Sequence, residues 1–142
     1  MNITGLSHVS IVVPDLKAAL EKLRATYGLS AGEIKVNEEQ GVRMTWIDLG
    51  NARIELMEPS RADSPVGKFL ERNPKGGIHH FSLSVDDVEA TTRELAAAGA
   101  QVLGGGKLQL NVHGERIAFV HPRDFLGALV ELEEHKAEGK HG

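Results

Sequence analysis

Cysteine is missing from this chain. Its absence excludes disulfide stapling, thiolate metal sites and thiol nucleophiles, and is compatible with a reducing compartment. Long apolar runs are missing too; nothing approaches the roughly 20 residues of a membrane-spanning helix. Asn2, Asp15 and Lys17 interrupt the N-terminal stretch, so no signal peptide is expected. Positive charge is not in excess. Sixteen Lys and Arg face 20 Asp and Glu, a formal net charge of −4, so neither nucleic acid nor an anionic membrane is an expected partner. What remains is 41% hydrophobic and 25% charged over 142 residues, enough for one compact domain or two fused small ones. The expected location is the cytoplasm.

The chain reads as the same plan twice. Residues 6–13 alternate and are rich in Val and Ile, a half-buried strand. Asp15 is a plausible N-cap for a helix whose apolar face is Leu16, Ala19, Leu20 and Leu23, with Gly28 as its stop. Strand candidates follow at 31–37, 41–48 and 52–58, the last two joined by a hairpin turn at Leu49-Gly50-Asn51-Ala52. In the second half, strand 80–85 leads through Asp86-Asp87 to a helix carrying Val88, Thr91, Leu95 and Ala98 and stopped by Gly99. Strand candidates at 100–103, 115–120 and 128–134 complete it. Each half is therefore a βαβββ module that cannot bury its sheet alone. Module one covers about 4–58 and module two about 78–134. The connector 59–77 contains one docked helical turn around Val66, Phe69 and Leu70. Residues 104–114 form a glycine-rich loop, and the polar tail 135–142 is expected to fray.

The repeat extends to chemistry. His8-Val9-Ser10-Ile11-Val12-Val13 answers to His80-Phe81-Ser82-Leu83-Ser84-Val85, and Arg53-Ile54-Glu55-Leu56 to Leu129-Val130-Glu131-Leu132. Each module opens its first strand on a histidine and carries a glutamate in its last. Alternation puts Glu55 on one face with Arg53 and Met57, and Ile54 and Leu56 on the other. Taken singly, each glutamate fits a solvent-facing strand position and each histidine a hydrogen-bonded strand end. Matched register in both halves favours a shared site, where two imidazoles and two carboxylates would hold a metal. His79 must face away from His80. His121, before Pro122, reads as structural. His113 lies in the glycine-rich loop, either exposed or closing over a pocket, and His135 and His141 belong to the tail.

These features resemble the vicinal oxygen chelate superfamily, and within it the methylmalonyl-CoA epimerases. The resemblance runs from Leu6 to about Glu133. It is carried by Asn37-Glu38-Glu39-Gln40-Gly41-Val42, Leu49-Gly50-Asn51, Asp63-Ser64-Pro65-Val66-Gly67-Lys68-Phe69-Leu70, Gly76-Gly77-Ile78-His79-His80, His121-Pro122 and Leu129-Val130-Glu131-Leu132. It implies an α+β fold in which two tandem βαβββ modules form a curved mixed sheet around a metal-binding cleft. It places the metal on His8, Glu55, His80 and Glu131, the four residues the internal repeat selects. It also implies one divalent ion per chain (Co²⁺, with Mn²⁺, Ni²⁺, Zn²⁺ or Mg²⁺ compatible with such ligands), an acyl-CoA substrate and a homodimer. The implied reaction exchanges the α-proton of methylmalonyl-CoA, and also of ethylmalonyl-CoA, with Glu131 as a proton carrier.

The chain departs from the family pattern in three places. Glu55 stands where many members carry glutamine. Met44 stands where some carry a catalytic glutamate, and a thioether carries no proton. Asn111 replaces a loop glycine. Lys68, Arg72 and Lys75 offer cations for coenzyme A phosphates or are an ordinary solvated cluster. Two rival functions share the fold: a glyoxalase I-type lactoylglutathione lyase, whose two-histidine, two-glutamate pattern Glu55 fits, and a bleomycin-resistance-like binding protein, which usually lacks the ligand set. An extradiol dioxygenase fits less well, because its triad has three protein ligands.

Overall fold

The computed structural model describes residues 2–135; the tail expected to fray lies, after His135, outside the described residues. The chain divides into two compact units. One is His8–His79; the other comprises the described residues from His80 onward together with those before His8.

In the first unit the elements are β1 (Ile3–Val12, from His8), α1 (Leu16–Tyr27), β2 (Lys35–Asn37), β3 (Val42–Asp48), β4 (Arg53–Pro59) and α2 (Pro65–Arg72). The strand order is β2-β3-β4-β1. The β1–β4 pair is parallel and the others antiparallel. α1 starts where the sequence says it should: the Asp15 carboxylate accepts from Ala18 N at 3.1 Å. It stops at Gly28, whose φ of 69° only glycine adopts cheaply. Its apolar stripe meets one face of the sheet, where Leu16, Ile47 and Leu56 are buried with Ile11, Leu20, Leu23 and Ile54 around them. Each such buried side chain contributes about 1.5–3 kcal/mol. The opposite face carries Val12, Val42, Met44 and Met57, and α2 covers these with Val66, Phe69 and Leu70.

The connector does hold a helix, longer than one turn. Ser64 caps it, accepting from Val66 N at 3.3 Å, and Pro65 opens it. The hairpin at 49–52 closes with Leu49 N donating to Ala52 O at 2.9 Å. The strand expected over 31–37 shortens to Lys35–Asn37. Gly32 nevertheless lies against β3: its N donates to Trp46 O at 3.0 Å, and its carbonyl accepts from Thr45 Oγ1 at 2.8 Å. At Gly76 a Cβ would sit 2.4 Å from Val12 O, so this close approach requires glycine.

The second unit contains β5 (Gly77–Val85, from His80), α3 (Val88–Ala97), β6 (Gln109–Leu110), β7 (Arg116–Val120) and β8 (Val130–Glu134), in the order β5-β8-β7-β6. Here too the first and last strands, β5 and β8, pair in parallel. The Asp87 carboxylate caps α3 through Ala90 N at 3.0 Å. α3 covers a cluster of Val85, Val88, Ala118, Val120, Val130 and Leu132. The strand expected at 100–103 is reduced to one bridge from Val102 to Val120. Beyond it Gly104 and Gly105, both at positive φ, turn the chain into a 3-10 segment at Leu103–Gly106. The expected loop 104–114 thus contains that turn and β6.

One clamp occurs in both units. Glu58, on the face of β4 that α1 covers, accepts from the first helical N–H, Leu16 N, at 2.7 Å and from Arg43 Nε at 2.6 Å. Glu134 does the same on β8, accepting from Val88 N at 3.0 Å and Arg116 Nη2 at 2.7 Å. Hydrogen bonding to Glu134, before any other influence, raises the Arg116 pKa further above its ordinary value. Among the described residues no helix is long and apolar enough to cross a membrane.

Candidate metal centre

Strand pairing places the site residues. In the first unit β1 and β4 align His8 with Arg53 and Ser10 with Glu55. In the second, β5 and β8 align Ser82 with Glu131, which leaves His80 two residues before it, as His8 is before Ser10. Paired strand residues share a face, so each unit brings its histidine and glutamate to one side of its sheet. All four are buried: His8 2% exposed, Glu55 5%, His80 6% and Glu131 5%.

His8 Nε2 lies 3.9 Å from Glu55 Oε1, and His80 Nε2 lies 3.6 Å from Glu131 Oε1. Both separations are too long for a hydrogen bond. They approach the spacing of neighbouring ligand atoms that each sit about 2.1 Å from one ion. Burying a carboxylate at this depth is costly unless a cation meets it. Aromatic edges orient both imidazoles. Trp46 meets His8 at a centroid distance of 5.0 Å and 82°, and Phe119 meets His80 at 5.3 Å and 85°. Each couple therefore offers an imidazole nitrogen and a carboxylate oxygen, donors that suit a divalent ion.

The halves differ in one respect. Ser10 Oγ donates to Glu55 Oε1. Ser82, the equivalent residue, is fully buried, yet its hydroxyl makes no hydrogen bond among the described residues. Glu55 is tethered by its serine; Glu131 is not tethered by its own.

The sequence matches the Glyoxalase/Bleomycin resistance protein/Dioxygenase superfamily over residues 7–119. It is 46% identical to an ethylmalonyl-CoA/methylmalonyl-CoA epimerase of Cereibacter sphaeroides over 129 residues, 91% of this chain and 96% of the relative. A Streptomyces coelicolor methylmalonyl-CoA epimerase variant, solved in complex with 2-nitronate-propionyl-CoA, superposes with a TM-score of 0.85 at 37% identity over 99% of each chain. A methylmalonyl-CoA epimerase in complex with methylmalonyl-CoA and NH4+ gives 0.84 at 37% identity, again over 99% of each chain. The chain belongs to the methylmalonyl-CoA epimerase family of this superfamily.

Met44 is buried with Val12, Val42, Met57 and Val66. It pairs across the strands with Met57, a thioether against a thioether. His79 faces away from His80 as alternation requires, its ring 5.3 Å from that of Phe69. His121 is structural: its Nδ1 accepts from Arg123 N at 3.0 Å. His113 is exposed, and so are Lys68, Arg72 and Lys75.

Sequence reasoning missed Glu133. It is 1% exposed, it shares Glu131's face of β8, and the two carboxylates have oxygens within 4.8 Å. Glu133 accepts from Ser7 Oγ, and from Asn111 Nδ2 at 2.8 Å, and lies 2.9 Å from His135 Nε2. Asn111 also takes His113 N and Glu115 N on its Oδ1, both at 2.9 Å. The loop is thereby tied to a buried carboxylate. The signal was available in the spacing of Glu131 and Glu133, two acids on one face of an otherwise apolar strand.

Proposed function

We propose that the protein is a metal-dependent epimerase that interconverts the (R) and (S) forms of methylmalonyl-CoA, and also of ethylmalonyl-CoA, by α-proton exchange. The observation that carries this reading is the pair of equivalent histidine–glutamate couples in a chain of this family. His8, Glu55, His80 and Glu131 would hold one divalent cation. Mixed imidazole and carboxylate ligation suits Co²⁺, Mn²⁺, Ni²⁺, Zn²⁺ or Mg²⁺. When bound, the cation supplies Lewis-acid stabilisation of the negative charge that develops on the thioester oxygen as the α-proton leaves.

The protein's own groups divide the remaining work. Glu55, tethered by Ser10, is the fixed ligand. Glu131, which its serine does not tether, is the proton carrier on one face of the α-carbon. Met44 cannot serve the other face. His113, on the loop that Asn111 organises, is one candidate there, and a water beside the cation is the other. Trp46 and Phe119 fix the imidazole planes. The relatives' substrates support an acyl-CoA ligand, with Lys68, Arg72 and Lys75 available to its phosphates, and the resemblance supports a homodimer. Sedimentation at micromolar protein should show two chains; a monomer would remove the dimer from this reading.

The test is deuterium incorporation at the α-carbon of (R)- and (S)-methylmalonyl-CoA in D₂O, with metal-replete protein. Rapid incorporation that stops on chelation supports the reading. Turnover of the methylglyoxal–glutathione adduct without α-exchange of methylmalonyl-CoA would replace it with a glyoxalase I-type activity.

A further inference from the structure

Asn111 uses every hydrogen-bonding site of its side-chain amide, two acceptor lone pairs and two N–H groups. Oδ1 accepts from His113 N and Glu115 N, both at 2.9 Å. Nδ2 donates to Glu115 Oε1 at 3.0 Å and to Glu133 Oε2 at 2.8 Å. The orientation of the amide follows from these partners, because only an oxygen takes two backbone N–H groups and only a nitrogen meets two carboxylates. Asn111 N also donates to Glu115 O, and Gly114 N to Asn111 O, both at 3.0 Å. One side chain therefore folds the hairpin turn between β6 and β7 and ties it to a buried carboxylate on β8.

The first unit shows what such a turn requires by itself. There Asn37 opens the turn between β2 and β3: its Oδ1 accepts from Gln40 N at 3.1 Å, and Gly41 N donates to its carbonyl at 2.8 Å. That turn forms without a sheet carboxylate, since Met57 holds the place that answers to Glu133. The tie to Glu133 is thus an addition to the turn, not a condition of it. It reaches the site's own face: Glu133 follows Glu131 on the same side of β8, about 6.5 Å farther along the strand. Oxygens of the two carboxylates lie within 4.8 Å of each other. Val112, His113 and Gly114 are exposed, so burial contributes little to fixing the turn, and its hydrogen bonds must do so.

Building on the epimerase reading, we propose that Asn111 is a positioning residue for α-proton exchange. By tying the turn to Glu133 it fixes residues 112–114 on the face of the sheet that carries Glu131. It thereby sets the proton carrier on the side of the α-carbon opposite Glu131. Asn111 carries no proton itself and acts through the turn.

The test follows deuterium incorporation separately from (R)- and (S)-methylmalonyl-CoA in D₂O, with Co²⁺-loaded protein. Metal content and urea unfolding are measured alongside. With two carriers, each enantiomer gives its proton to the carrier on its own side, so misplacing one carrier slows one enantiomer. Asn111→Ala should slow one enantiomer by about 10- to 100-fold and leave the other, served by Glu131, within about threefold of wild type. Asn111→Asp keeps the acceptor that folds the turn but sets a carboxylate against Glu133, and should slow the same enantiomer. Glu133→Met, which copies the first unit, removes the tie from its other end and should do likewise. Loss of fold or metal slows both enantiomers alike, so equal slowing in Asn111→Ala overturns the assignment. So does an Asn111→Ala protein that exchanges both at the wild-type rate, or a folded Glu133→Met protein that spares the affected enantiomer. The epimerase reading stands after any of these three results. A wild-type chain that exchanges neither enantiomer overturns both.

Discussion

Ser10 and Ser82 occupy the same place in their modules, and among the described residues only the Ser10 hydroxyl has a partner. A buried hydroxyl without a hydrogen bond lowers stability, so Ser82→Ala should stabilise the fold by about 1 kcal/mol, read from urea unfolding. Ser10→Ala should do the reverse. Glu133 is the opposite case, an acid whose donors come from Ser7, Asn111 and the His135 ring. Glu133→Gln turns an amide N–H₂ toward one of those donors and should cost about 1–3 kcal/mol in the same measurement. Glu131→Gln should fold and lose α-proton exchange by about 10²- to 10⁴-fold, because an amide takes no proton. Met44→Leu keeps the volume of its cluster and should leave exchange within a few-fold of wild type. If it abolished exchange with fold and metal intact, Met44 would be more than packing.

At the level of elements, much of the chain was legible. Asp15, Gly28, Asp87 and the Leu49–Ala52 turn act locally, through caps and backbone torsions that sequence states directly. The clamps formed by Glu58 and Glu134 were not legible, since each joins a strand to a helix start more than 40 residues away. The strand expected at 100–103 failed because Gly104 and Gly105 turn the chain before a ladder can extend. The four candidate ligands were readable only because the sequence states their pattern twice. Glu133 has no matching acid in the other half, where Met57 stands two residues after Glu55, so the repeat gave no pointer to it. Losing a clamp should cost the helix an N-terminal partner and a favourable charge, so Glu58→Ala should destabilise by about 1 kcal/mol. Glu134→Ala should act in the same direction, with the unfolding midpoint as the readout for both. Arg116, its pKa already raised, stays cationic throughout the working pH range and adds no pH dependence to its clamp.

For the molecule as a whole, a bound cation would add stability only to the native state, about 2.7 kcal/mol at a free concentration 100 times its dissociation constant. Chelation should therefore lower the unfolding temperature, and Co²⁺ or Mn²⁺ should restore it. The parallel pairing of β1 with β4 and of β5 with β8 also has a kinetic side. Hairpins such as β3–β4 close over a few residues. Bringing Ser10 to Glu55, or Ser82 to Glu131, closes a chain loop of about 45–50 residues and carries a larger entropy cost. The expectation tested here is that the histidine–glutamate couples assemble late, after the rate-limiting barrier. Interactions formed past that barrier leave the refolding rate nearly unchanged and slow unfolding. In stopped-flow chevrons, added metal should lower the unfolding arm and leave the refolding arm in place. The cation would then act less as a template for folding than as a lock on the finished chain, setting how long each molecule stays native once it has arrived there.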